Sequence, residues 1–197
     1  MLVPNYYYAS SVPGGLCRNY FGLTSAHIDA VTSAASSRLH DTKVEVRQAA
    51  ADLLTGLLQC MPPESSRRFR EATLKSATTV FPARSRKRKR HSSGDNGGSA
   101  GDTVVATGVA EQHACALSLS AVLLSRPYVI EEWTGDVLLA LARAATAPAP
   151  VKVSATEALG TFRKTQEGTS RLPLRERLAP VVWDAVRDAA VQSSYFA

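Results

Sequence analysis

Apolar residues fall at three- and four-residue steps through most of the chain, the spacing of helices that bury one face. The pattern begins at Thr24, a residue type suited to an N-cap, and continues through Ile28, Val31, Ala35 and Leu39. His40-Asp41-Thr42 interrupts it. A broader stripe follows through Val44, Val46, Ala49, Ala50, Leu53, Leu54, Leu57 and Leu58 to Cys60, and Pro62-Pro63 stops that helix. A third helix is expected from near Ser65, with Phe69, Leu74, Ala77, Val80 and Phe81 inward. The pattern resumes near Thr103 and runs to about Ser125, with Val109, Ala116, Leu119, Val122 and Leu123 on one face, until Arg126-Pro127-Tyr128. Three more helices are predicted over Glu131 to Ala145, Val151 to Lys164 and Leu174 to Val191. Their inward sets are Trp133, Val137, Leu138 and Leu141; then Val153, Ala155, Ala158, Leu159 and Phe162; then Leu178, Val181, Val182, Ala185, Val186 and Ala189. The reading is all-α, with about seven helices.

Two of these segments share a theme. Asp41-Thr-Lys-Val-Glu-Val-Arg-Gln-Ala-Ala-Ala-Asp-Leu-Leu-Thr-Gly-Leu-Leu and Pro150-Val-Lys-Val-Ser-Ala-Thr-Glu-Ala-Leu-Gly-Thr-Phe each follow a break with Val-x-Val, spaced alanines, leucine and glycine. Small residues let a helix sit close to its neighbours while large ones fill the layer between repeats, as in the second helix of a HEAT repeat. A HEAT/armadillo-like helical-repeat solenoid fragment is therefore expected, against the simpler alternative of a helical bundle. Residues 24–81 and 103–191 form its two helical parts, and residues 192–197, from Gln192-Ser193-Ser194 onward, lead off the last helix as a tail. Residues 1–23, with Pro4, Pro13, Gly14, Gly15 and Tyr6-Tyr7-Tyr8, read as irregular. Residues 82–102, basic and then rich in glycine and serine, read as a linker.

Composition narrows the partners. Hydrophobic residues make up 45% of the 197, enough for a core, and aromatics only 7%, which favours close-packed helices over a β-sandwich. The net charge of +6 is carried by Arg84, Arg86, Lys87, Arg88, Lys89 and Arg90, so the rest of the chain is formally neutral and a direct nucleic-acid surface is not indicated. Three widely spaced cysteines, Cys17, Cys60 and Cys115, argue against a disulfide framework and for a reducing compartment. No apolar run reaches the ~18–20 residues that span a bilayer, and the first residues lack the features of a signal peptide. The expected location is nucleus and cytoplasm, with no membrane partner.

Several stretches together resemble the C-terminal region of the large single-chain HEAT-repeat proteasome activators, the proteasome activator complex subunit 4 family. They are Val44-Glu45-Val46-Arg47 with Gly56-Leu57-Leu58-Gln59-Cys60, Leu123-Leu124-Ser125-Arg126-Pro127-Tyr128 with Trp133, Thr161-Phe162-Arg163-Lys164-Thr165, and the terminal Tyr195-Phe196-Ala197. The resemblance implies a non-enzymatic adaptor, without cofactors, that docks on the α subunits of the proteasome core particle. It implies gate opening and degradation of peptides and unfolded or acetylated proteins without ATP or ubiquitin.

Tyr195, Phe196 and Ala197 are the candidate docking tail. A pocket that takes an aromatic ring gains roughly 1.5–3 kcal/mol, and the Ala197 carboxylate can meet a lysine. Ordering a tail offsets this gain, so avidity from the solenoid is needed. In the family the tail reads hydrophobic, tyrosine, any residue, so Tyr195 fills the first position, Phe196 replaces the tyrosine and Ala197 supplies the carboxylate. Phe196 lacks a hydroxyl, so any hydrogen bond from that group is lost. The alternative is a tail folded back on its own helix.

The run Arg84–Arg90 reads as a nuclear localisation signal for an importin groove, with a solvated charged loop or a nucleic-acid arm as alternatives. An acetyl-lysine site for acetylated histones, also assigned to the family, needs a buried amide beside aromatics, and none accompanies Cys60-Met61-Pro62. His113 and Cys115, two apart on a helix, point to different faces and do not make a zinc site. No nucleophile elbow, HExxH or phosphate-cradling loop is present. A nuclear HEAT scaffold for a protein or histone partner is the competing function.

Overall fold

The computed structural model describes residues 24–82, 108–170 and 172–194. The irregular segment 1–23, the linker over 83–102 with its basic run, and the tail residues Tyr195, Phe196 and Ala197 lie outside the described residues. Among those described there are eight helices and no strand: α1 (Ser25–Arg38), α2 (Val44–Cys60), α3 (Pro63–Val80), α4 (Val109–Ser125), α5 (Thr134–Ala144), α6 (Val151–Thr169), α7 (Leu174–Arg177) and α8 (Pro180–Ser194).

Local chemistry sets most boundaries. Thr24 caps α1 as expected: its Oγ1 accepts the His27 N–H, and His27 Nδ1 accepts the Thr24 N–H, each at 3.3 Å. Asp41 Oδ1 accepts the Lys43 N–H at 3.0 Å in the turn before α2. Pro62 follows the end of α2, but Pro63 opens α3 rather than lying outside it, because the first helical turn needs no N–H donor there. The single final helix expected from Leu174 is instead two. Leu178 is extended, α8 restarts at Pro180, and this break supplies the eighth helix. α8 also continues past Val191 to Ser194, so Gln192, Ser193 and Ser194 are helical rather than part of an extended tail. Likewise α6 runs on past Lys164 to Thr169.

The helices form two rows. α2, α4 and α6 lie side by side, with α1 against α2. α3, α5 and α8 form the second row, and α4 packs on α3 and α5 across the layer. The first row is parallel. Arg47, His113 and Ser154 sit in the first two turns of α2, α4 and α6, and His113 Nε2 lies 2.9 Å from Ser154 Oγ. Arg47 is close enough to His113 for its charge to act on it. In the second row α5 and α8 also run the same way. Gly135 at the start of α5 sits against Val182, and the end of α5 against Ala185 and Ala189. Parallel neighbours within each row are what stacked helical repeats produce, and an up-and-down bundle does not. The two sequence segments with a shared theme are α2 and α6, separated in their row by α4.

Burial follows from this placement. α4 is enclosed over most of its circumference, from His113 and Ala114 through Leu123 and Ser125. Its inner surface is therefore wider than the single face expected, while Val109 at its start is exposed. Phe162, Leu54, Leu117, Leu119, Leu138 and Leu141 are among the core side chains. Val153 and Val181, expected inside, are 57% and 71% exposed, because the arcs that α6 and α8 bury pass through Val151, Ala155 and Leu159 and through Val182, Val186 and Ala189.

Candidate docking site

α8 carries the tail. Leu174 and Leu178 before it, and Val182, Val186 and Ala189 within it, are buried against the body. This fixes the direction of α8 up to Ser194, immediately before Tyr195. The structure thus places the attachment point of the three candidate residues and none of their contacts. The basic run Arg84–Arg90 is bounded in the same way by Pro82 and Gly108.

Sequence reasoning missed a groove of about 550 Å³ where α5 ends. Phe81 and Pro82 after α3, Leu139 and Ala142 of α5 and Ala145 just beyond it form its apolar base, and Ala185, Asp188 and Ala189 of α8 line it too. Arg143 stands in the wall. Nothing in the pattern of α5 announced this groove, because its walls come from segments more than a hundred residues apart.

Among the buried polar residues that hydrophobic patterning did not foresee are Arg47, His113 and Gln166. Arg47 is buried, donating from Nη1 to the Asp41 carbonyl at 3.2 Å, while its Nε has no partner among the described residues. His113 is fully buried, and its Nδ1 has no partner among the described residues. Burial first, and the Arg47 charge second, push the His113 imidazole down to about 4, so it is neutral at pH 7. Gln166 joins three segments: its amide donates to the Pro127 carbonyl at 2.6 Å and accepts from Arg177 at 2.5 Å. This buried amide is engaged both as donor and as acceptor.

The remaining candidates sort themselves by contact. Burial raises the Cys115 thiol to about 11 despite a bond with Ser76, so it is a protonated core residue. Asp52 is held above the usual carboxylate range by partial burial and by Glu157 across a small cleft between α2 and α6. Trp133 donates from Nε1 to Glu131 at 2.6 Å, and the Arg70 guanidinium stacks 4.7 Å above its ring, tying α3 to the start of α5. Among the described residues no group of three or more His, Cys, Asp or Glu is placed to hold a metal, and no helix is long and apolar enough to cross a membrane.

Two rows of parallel helices, closed by α8 packed on α5 and α6, define a helical-repeat fragment. Residues 109–197 match the family described as proteasome activator complex subunit 4-like, C-terminal. The chain is 34% identical over 131 residues to proteasome activator complex subunit 4 of Homo sapiens, covering 66% of this chain and 7% of that protein. It is 28% identical over 180 residues to proteasome activator subunit 4 of Arabidopsis thaliana, covering 91% and 9%. With proteasome activator complex subunit 4 of Xenopus laevis the identity is 36% over 131 residues, covering 64% and 6%. Across residues 109–197 the chain therefore belongs to the proteasome activator subunit 4 family, and it spans less than a tenth of the length of these relatives.

Proposed function

We propose that the chain is the C-terminal part of a proteasome activator, and that Tyr195, Phe196 and Ala197 dock on the α ring of the core particle. The observation that carries this is the match of residues 109–197 to the C-terminal region of the family, with the tripeptide immediately after a helix whose buried face anchors it. α8 gives the tail a fixed origin and direction, which lowers the ordering cost of docking. The two rings supply apolar area and the carboxylate a charge-assisted contact. Phe196 provides ring burial without a hydroxyl, so docking and gate opening are separable here.

Co-sedimentation with purified core particle tests the reading. Removing Tyr195–Ala197, or adding residues after Ala197, abolishes binding. Phe196→Tyr leaves binding within about threefold and raises hydrolysis of a fluorogenic peptide by the core. Unchanged sedimentation of the truncated chain refutes the proposal. The run Arg84–Arg90 directs nuclear import in the same reading, and a fluorescent fusion with these six cations changed to alanine is expected to lose nuclear accumulation.

A further inference from the structure

The groove at the end of α5 has two properties that call for one kind of occupant. Its base is apolar, from Phe81, Leu139, Ala142 and Ala145. Beside it stands Arg143, which is exposed and makes no ion pair among the described residues. Asp188 of α8, which also lines the groove, is held by Arg187 at 3.2 Å, and Arg187 in turn pairs with Asp184 at 3.4 Å, so Arg143 is the lining charge left without an ion pair among the described residues. A short apolar segment carrying an anion fits this chemistry.

Such a segment is tethered at the rim. α8 forms a wall through Ala185 and Ala189 and continues to Ser194, which is about 7.5 Å of helix beyond Ala189. Three residues extended span about 10 Å. The contour length of Tyr195–Ala197 thus exceeds the helical rise from Ala189 to Ser194. Two aromatic rings and a carboxylate are the groups that such a segment would offer to the apolar base and to Arg143.

We propose that this groove is the resting seat of the chain's own Tyr195–Ala197, so that the tail exchanges between an intramolecular site and an external docking partner. The inference deepens the docking role of the tail and rests on it for its biological meaning. The tether supplies an effective concentration in the millimolar range, while ring burial is offset by the cost of ordering three residues. The seat is thus shallow. It shields the tail when no partner is near and yields to a tighter pocket.

The test reads tail accessibility directly. The full chain is exposed to carboxypeptidase A, and release of Ala197 and Phe196 is followed by mass spectrometry beside the free peptide Gln192–Ala197. The chain is expected to release them about tenfold more slowly than the peptide. Arg143→Glu reverses the charge and Ala142→Trp fills the base, and each speeds release at least about threefold with helicity unchanged. If neither variant alters the rate, any slow release reflects attachment to α8 alone and the seat does not exist. Protection that grows with protein concentration assigns the groove to a second copy and overturns the intramolecular seat. Core-particle binding measured in parallel separates the two readings. Protection lost in both variants, with no core binding by any form, upholds the seat and sinks proteasome docking.

Discussion

His113 sits where three parallel helices come level, bonded to Ser154 and beside the Arg47 charge. Its position makes stability depend on acid. Between pH 6.5 and about 4 the unfolded chain binds a proton at His113 that the folded chain refuses, so the unfolded state gains and stability falls as pH falls. The loss is about 3 kcal/mol by pH 4, since lowering a pKa by one corresponds to about 1.4 kcal/mol. Urea titrations of the parent and of His113→Leu check this: the variant has a shallower loss of stability between pH 7 and pH 4, and parallel slopes would exclude the assignment. None of Arg47, His113 or Gln166 was legible as a core residue in the sequence. A buried polar group is defined by its partner, and Ser154 and Pro127 lie 41 and 39 residues from His113 and Gln166.

Elements were far easier to read than residues. Thr24, Pro62-Pro63 and Pro148-Ala149-Pro150 act locally, through a side-chain cap or a missing N–H, and each marks a boundary observed in the fold. Pro180 acts by the same local rule, yet the surrounding apolar periodicity carried the expected helix across it. Phase is less local. Val153 is followed in sequence by alanines and leucine that suggest an inward stripe, but the neighbour α4 selects the arc through Val151 and Ala155. α4 itself is the element that packing constrains most, being flanked in its row and covered by the other. Ala116 at its middle is fully buried. Ala116→Leu is therefore expected to cost about 1–3 kcal/mol by overpacking, whereas Ala110→Leu in the exposed first turn stays within about 0.5 kcal/mol. Thermal melts of the two variants distinguish them, and equal melting temperatures would contradict the enclosed position of α4.

At the scale of the molecule, the two rows reproduce the solenoid expected from the shared theme of α2 and α6. The sequence could not show the groove or the level starts of α2, α4 and α6, because both arise only when distant segments stack. The layer also crosses the segment between Pro82 and Gly108, since α4 packs on α2 and α3 on one side and on α5 and α6 on the other. The two halves are thus joined twice, once by the peptide chain and once by the core. The covalent join is therefore expected to be dispensable. A protease recognition site inserted near Arg88 and cleaved should yield fragments that co-elute from a sizing column in native buffer and separate only in denaturant. Independent elution in native buffer would mean that the halves do not hold one another. Co-elution, by contrast, would mean that two polypeptides supplied separately assemble on α4, so that the helices before the basic run and those after it could be exchanged as interchangeable parts.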